Sequence, residues 1–398
     1  MRTPVVFVAG QGDSDAVAAE LLSSPGTLVI AHRFDGHIVC RRMTTKPGGV
    51  TTVAETALEL AHGCASCTIR NDLLILLRRL HRRADVQRIV VHLDRWLEPE
   101  PICWAIRHVR VQVGPGYIDG PAARDVEIMG VATCVDTESW LTQTLGDDEL
   151  ADGRTIAQVA VGQAESADVL VLDTPDPAVL AVLRRLAPTA RITVGPDRVE
   201  MALAHLEPDS RRGSGNQPHA PLLAGQPPLQ ADGDIQLIEF NAKRPFHPQR
   251  LHLAIDTLLE GVVRAKGRLW VASRPDQVMW LESAGGGLRV SSAGKWLAAM
   301  DGSEIAYVDP ERRVFADLLW DYQHGDRHTA MTVLLCGAEA ADVVNALAGA
   351  LLTNGEMRDP QPWTGYPDPF GDWHADPCDE LTTEDRKSLH DNAEGESR

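Results

Sequence analysis

Cys64 and Cys67 stand at C-x-x-C spacing in the stretch "HGCASCTIRNDLLILLRRL", which runs from His62 to Leu80. Three chemistries suit such a pair. Two thiolates can hold one Zn2+ ion, which prefers sulfur and imidazole in a tetrahedral set. They can cycle between dithiol and disulfide, although the usual thioredoxin-like context is missing here. One of them can simply fill a core. An amphipathic helix follows directly, and its N-terminus favours negative charge on nearby sulfur. For a metal, two sulfurs fall short of the four ligands of a structural zinc site. His62 is the neighbouring third candidate. Other ligands would come from a partner, a distant Cys or His, or water. An incomplete site of this kind exchanges its metal, which suits a sensor better than a store.

Other candidates are weaker. "AGQGDSDAVAAELL" follows an apolar N-terminal run, where a phosphate-binding loop would lie. Gly10 and Gly12 are in place, but the lysine and the Ser/Thr of G-x-x-x-x-G-K-[ST] are not. Asp13 and Asp15 put negative charge where phosphates would sit, so a structural glycine turn is the simpler reading. Asp136 ends a strand-like run, where α/β proteins gather ligands, and equally could cap the next helix. His324 and His328 read as structural or solvent-facing, and His374 and Cys378 as polar tail residues. Lys243, Arg244 and Arg250 read as a basic surface, and "RRLHRR" (Arg78 to Arg83) as the outer face of its helix.

The elements that must position these residues follow from periodicity. "PVVFVAG", "GTLVIAHRF", "VQRIVVHL", "VEIMGVATCVD", "ADVLVLDT" and "ARITVG" are apolar, β-branched runs that alternate with helical patterns. That order predicts an α/β domain with a parallel sheet covered on both faces, over residues 1–206. "VTTVAETALELAHG" reads as a helix. Residues 207–234, rich in Pro, Gly and polar side chains, read as a linker. Residues 235–358 alternate short strands and helices as a smaller α+β domain. Residues 359–398 lose periodicity and turn acidic, which predicts a disordered tail.

The net charge of −18 argues against general attraction to nucleic acid, and no direct DNA binding is expected. No apolar run is long enough for a bilayer, and the start does not read as a signal peptide, so no membrane role is expected. Seven scattered cysteines do not form a secreted disulfide framework, and the cytoplasm is the expected compartment.

The chain resembles the CobW-like metallochaperone GTPases, also called zinc chaperone-like GTPases. Their G-C-x-C-C-T-[LI]-R motif is matched by "GCASCTIRNDL", with Ser66 at the middle cysteine. "NAKRPFHPQRL", "RAKGRLWVASRPD", "AGGGLRV", "GDRHTAM" and "DPFGDW" follow in the family's order across nearly the whole chain. The resemblance implies a P-loop-GTPase-like parallel sheet with degenerate nucleotide motifs, then a CobW C-terminal α+β domain. It also implies where the nucleotide motifs are eroded. The phosphate loop has become "GQGDSDAV", His92 takes a glutamate position, and "DTPD" (Asp173 to Asp176) keeps only Asp176 of the guanine-reading N-K-x-D. Bound GTP and magnesium are therefore not expected, and no catalytic residue is assigned. Gly10, Gly12, Asp136, Asp173 and Asp176 are read as remnants of a nucleotide site. Within the family, the eroded loop with C-x-x-C resembles an actinobacterial branch associated with low-zinc ribosomes. That implies a zinc-responsive adaptor that brings a ribosome hibernation-promoting factor to the small ribosomal subunit. The alternative is a nucleotide-dependent zinc metallochaperone, as in the rest of the family.

Overall fold

A computed structural model describes residues 2–60, 64–215 and 217–371. Its first part contains β1 (Thr3–Gly10), α1 (Ser14–Leu22), β2 (Thr27–Phe34), β3 (Val39–Thr45), β4 (Thr52–Leu58), α2 (Ala65–Leu80), β5 (Arg88–His92) and α3 (Pro99–His108). Then come β6 (Arg110–Val111), β7 (Gly120–Pro121), β8 (Val126–Val135), α4 (Trp140–Leu145), α5 (Ile156–Glu165), β9 (Val169–Leu172), α6 (Pro177–Leu186), β10 (Arg191–Val194) and α7 (Val199–Ala204).

Eight strands form one sheet in the order β10-β9-β8-β1-β5-β2-β3-β4. From β10 to β2 every neighbouring pair is parallel. Right-handed crossovers require helices between parallel strands, and the continuous apolar runs supply both buried faces. Val5, Phe7, Ile30, Ile89 and Val91 pack with α2 and α3 on one face. Val6, Val8, Val29 and Val90 pack with α1 and α7 on the other.

The stretch expected to be helical, "VTTVAETALELAHG", instead gives β4, paired antiparallel with β3 along its length. Its residues are exposed except Leu58, so neither face is marked by apolar alternation. Ala, Glu and Leu favour a helix locally, but pairing with β3 overrides that preference.

The second part contains β11 (Ile235–Ala242), α8 (Pro248–Ala254), β12 (Val262–Leu269), β13 (Gln277–Ala284), β14 (Gly287–Lys295), α9 (Gly302–Ala306), α10 (Pro310–Leu319), β15 (Thr329–Cys336), α11 (Ala340–Ala350) and α12 (Asn354–Arg358). Its sheet is antiparallel in the order β11-β15-β12-β13-β14. One face packs on α8, the short helical turn that follows it, and α11, through Leu251, Leu258, Val343 and Leu347. On the other, Leu237 and Leu334 join Trp140, Ala160 and Val182 of the first part in one core.

An ion cluster reinforces that shared core. Glu165, at the end of α5, is buried and meets Arg264 of β12 at 2.9 Å and Lys266 of the same strand. Burial opposes its charge, but Arg264, Lys266 and Arg211 outweigh it and hold the carboxyl far below the ordinary range.

Residues 207–234 carry no long helix or strand but pack closely on both parts. Arg212 N–H donates to Asp168 at 2.8 Å, and Arg211 donates to the Glu165 carbonyl at 2.6 Å. Gly213, at φ +71°, lies so close to Cys103 that a Cβ there would fall 2.3 Å from its sulfur.

Candidate metal site and the altered nucleotide edge

The cysteine turn is built by the helix it precedes. Cys64 is the N-cap of α2, and its sulfur accepts from the Cys67 N–H at 3.3 Å. Thr68 adds a hydroxyl bond to the Cys64 carbonyl at 2.8 Å, which tightens the first turn. Both sulfur-bearing residues therefore belong to the positive end of a 16-residue helix. Arg70 directs Nη2 to the Cys67 sulfur at 3.9 Å. Helix terminus and guanidinium both favour thiolate over thiol, the form that binds soft metal. Cys67 is buried and Cys64 half-buried, so the pair straddles the surface.

The base of this turn is held by groups the sequence did not single out. Asp72 of α2 takes His32 Nε2 at 2.8 Å and Arg41 Nη1 at 2.5 Å. His32 on β2 and Arg41 on β3 face each other in register. The carboxylate thus pins the helix to both strands. Its position one helical turn beyond Thr68 was the available signal. Cys40 neighbours Arg41 and so points to the opposite face of β3, away from α2. His62 lies outside the described residues, as do His374 and Cys378. Among the described residues no group of three or more His, Cys, Asp or Glu side chains is arranged to hold a metal ion. Cys64 and Cys67 are the two described donors of the expected set.

The expected nucleotide remnants do gather at one edge, the C-terminal ends of the parallel strands. There each is occupied by a local task. Gly10 has φ +108°, and a Cβ on it would lie 2.1 Å from the Cys134 carbonyl oxygen. Gly12 is similarly close to the Val135 backbone, at 2.9 Å. These glycines let the β1–α1 turn lie flat on the end of β8. Gln11 is buried and donates to Gln163 at 2.5 Å. Asp13 caps α1 through the Ala16 N–H at 2.9 Å.

The hydroxyl of Ser14 is bonded to His92 Nε2 at 2.9 Å, and Asp15 stands 3.7 Å from His92 Nδ1. Burial lowers the affinity of His92 for a proton, with help from Arg33, against the pull of Asp15 and Asp94. Asp136 accepts from Ser139 Oγ at 2.7 Å and the Glu138 N–H at 3.3 Å. Asp173 is held by Thr137, through N–H at 3.1 Å and Oγ1 at 2.6 Å. Burial opposes its charge, but those bonds win and lower its pKa. Asp176 caps α6 through Val179 N–H at 2.8 Å. Three carboxylates at the head of the turn and its neighbour, no lysine, and a hydroxyl already bonded to imidazole do not fit a magnesium-bound triphosphate.

Three arginines make contacts that the sequence did not reveal. Arg78 is buried, not on an outer face. It donates to Asp125 at 2.7 Å and to the carbonyls of Ile118 and Gly120, because residues 109–124 fold over α2. Arg250 pairs with both Glu356 oxygens, and Arg244 donates to Asn354 at 2.6 Å, so both staple the C-terminal helices. His328 is structural, bonded to the Asp326 carbonyl at 2.7 Å and to Arg268. No helix among the described residues is long and apolar enough to cross a membrane.

Residues 32–191 match the model of the CobW/HypB/UreG nucleotide-binding domain, and residues 235–351 that of the cobalamin synthesis protein cobW C-terminal domain. The protein named zinc chaperone Rv0106 of Mycobacterium tuberculosis is 66% identical over 399 residues, covering 100% of both chains. Zinc-regulated GTPase metalloprotein activator 1 of Dictyostelium discoideum is 23% identical over 330 residues, 76% of this chain and 67% of that one. Among solved structures, the Zn(II)-bound YjiA GTPase of E. coli overlays with a TM-score of 0.35 and 13% identity. That overlay covers 88% of this chain and 100% of the other, and a TM-score so low bears no weight. On both domain matches and the identity over its full length, the chain belongs to the CobW-like, or zinc chaperone-like, GTPase family.

Proposed function

We propose that this protein carries Zn2+ as cargo on Cys64 and Cys67 and hands it to a client, without a P-loop nucleotide cycle. The observation that carries the reading is the pairing of both cysteines on the first turn of α2, with Arg70 against one sulfur. Two thiolates bind zinc firmly enough to carry it, and the vacant coordination positions let a client's ligands enter before the cysteines leave. A reducing compartment such as the cytoplasm keeps such thiolates available. The names of the relatives, a zinc chaperone and a zinc-regulated activator, support metal delivery over the recruiting role expected from the sequence. Recruitment of a hibernation-promoting factor to the small ribosomal subunit rests on sequence resemblance alone.

The test is zinc affinity by chelator competition on the full chain and on Cys64→Ser/Cys67→Ser. The wild type is expected to bind one zinc, and the variant at least about 100-fold more weakly, since losing both thiolates removes more than the tenfold to 100-fold of an outer-shell change. Millimolar Mg-GTP is expected to leave the wild-type affinity unchanged. Equal zinc binding by the two chains would overturn the reading, and tightening by GTP would restore a nucleotide cycle.

A further inference from the structure

A cavity lies at the opposite edge of the parallel sheet from the altered nucleotide turn. It has a volume of about 480 Å³ and is bounded by the C-terminal end of α6, residues 209–215 and 217–227, and the inner face of the second sheet. Glu165, at the end of α5 ahead of β9, and Pro188, between α6 and β10, place it at the N-terminal edge of the strands. Ligands of open α/β sheets ordinarily gather at the other edge. This cavity is thus separate from Gly10, Asp136 and Asp173.

Its walls divide by chemistry. Leu222, Leu237, Leu334 and Trp280 make an apolar side. Arg185, Arg211, Arg264 and Lys266 line it together with Glu165 and Asp209. Glu165 already engages Arg264 and Lys266. Arg264 also pairs with Glu282 at 3.2 Å, so its charge is met on two sides. Arg185 is different. It is 7% exposed, and it donates to the carbonyls of Ala181, at 2.7 Å, and Gln230, at 2.5 Å. Among the described residues it meets no carboxylate. Its Nε, the Nε of Arg264 and the hydroxyl of Ser210 are buried donors with no hydrogen-bond partner. A buried guanidinium without a counter-charge is costly, and unpaired buried donors add to that cost.

We infer that this cavity binds a small amphipathic anion, a carboxylate or phosphate head on an apolar body. The head meets Arg185 and the unpaired donors, and the body lies against Leu222, Leu237 and Trp280. The volume is within the ordinary range for a small-molecule site. Occupancy would tie residues 209–215 and 217–227 to both domains at once. The site goes beyond zinc carriage, and its test does not involve zinc.

The experiment titrates the full chain with the fluorescent anion 8-anilinonaphthalene-1-sulfonate and with the neutral N-phenyl-1-naphthylamine. Saturable 1:1 binding of the anion, at least tenfold tighter than the neutral probe, is expected. Leu222→Trp fills the apolar side without touching a polar group, and is expected to weaken the anion at least tenfold. Arg185→Met is expected to abolish the preference for charge. If that variant fails to fold, Leu222→Trp still decides. Displacement of the probe by octanoate identifies a carboxylate head and by octyl phosphate a phosphate head, and either supports the site. No saturable binding, equal affinity for both probes, or indifference to Leu222→Trp would overturn it.

Discussion

Two helix N-termini of the first domain begin alike and end differently. At the start of α1 the chain leaves a buried parallel strand through Gly10 and Gly12 and lies down on β8. Its acids, its serine and His92 satisfy one another. At the start of α2 the chain comes from an exposed antiparallel strand and presents two sulfurs with a guanidinium beside them. The positive end of a helix attracts an anion in both places. In the first, built-in carboxylates take that role and leave no room for an incoming one. In the second, sulfur takes the place of carboxylate, and the proposal is that these two sulfurs carry a metal. Two helix N-termini of one fold can thus be furnished quite differently, because each is a local matter of a few side chains.

The contrast can be broken most forcefully at Gly10. If its role is close packing on β8, Gly10→Ala must displace the Cys134 carbonyl and hold φ +108° against a side chain. A loss of about 3 kcal/mol is expected in urea unfolding, from strain and clash together. Zinc affinity should stay as in the wild type. A variant of wild-type stability would mean that the turn is not built on this contact.

The next effect is smaller and separates two roles of one residue. Cys64 is both a cap and a proposed zinc ligand. Serine caps a helix well, whereas alanine in place of a capping side chain costs about 1 kcal/mol. Cys64→Ser should therefore lose zinc affinity at nearly unchanged stability. Cys64→Ala should lose both. If the two variants lost stability equally, the sulfur bond to the Cys67 N–H would not be a cap.

How much of this was legible depends on where the informative contacts lie. The parallel strands declared themselves because burial on both faces writes continuous runs such as "PVVFVAG". The C-x-x-C turn was visible because its partners are within one helical turn. β4 was not, since an exposed edge strand carries no alternation and its Ala, Glu and Leu mimic a helix. The 207–234 segment read as a tether on its glycines and prolines. Its anchors, Asp168 and Glu165, lie more than 40 residues away from the arginines they receive. Arg78 was misplaced on an outer face because its covering carbonyls at Ile118 and Gly120 come from a stretch without periodicity. Asp136 was read at a strand end, as a ligand or a helix cap, and Asp176 as a remnant of the guanine-reading motif. In the structure Asp176 caps α6, whereas Asp136 holds Ser139, the N-cap residue of α4.

The smallest effect concerns pH, and it distinguishes the two turns by what acid does to each. His92 is buried with its ring on Ser14, and its folded pKa lies below the unfolded value of about 6.5. Below that value the unfolded chain takes up a proton that the folded chain resists. Stability contributed by neutral His92 is thus complete above pH 6.5 and is lost as pH falls toward the folded pKa. His219, pushed down to about 4 by burial, adds a loss over the same window, as do His247 and His328, which are also lowered. The variant is therefore compared with the wild type rather than with a flat line. His92→Gln keeps a polar partner for Ser14 but does not titrate. It should cost about 1 kcal/mol or less at pH 7, the worth of one net hydrogen bond. Its disadvantage should shrink as pH drops from 7 to 5. Zinc affinity also falls with acid, because protons compete for thiolate, but that fall belongs to the other turn. It should be identical in wild type and His92→Gln. A stability difference that stays constant from pH 7 to 5 would show that His92 does not close the first turn as a neutral ring. A zinc response altered by the variant would show that the two turns are coupled.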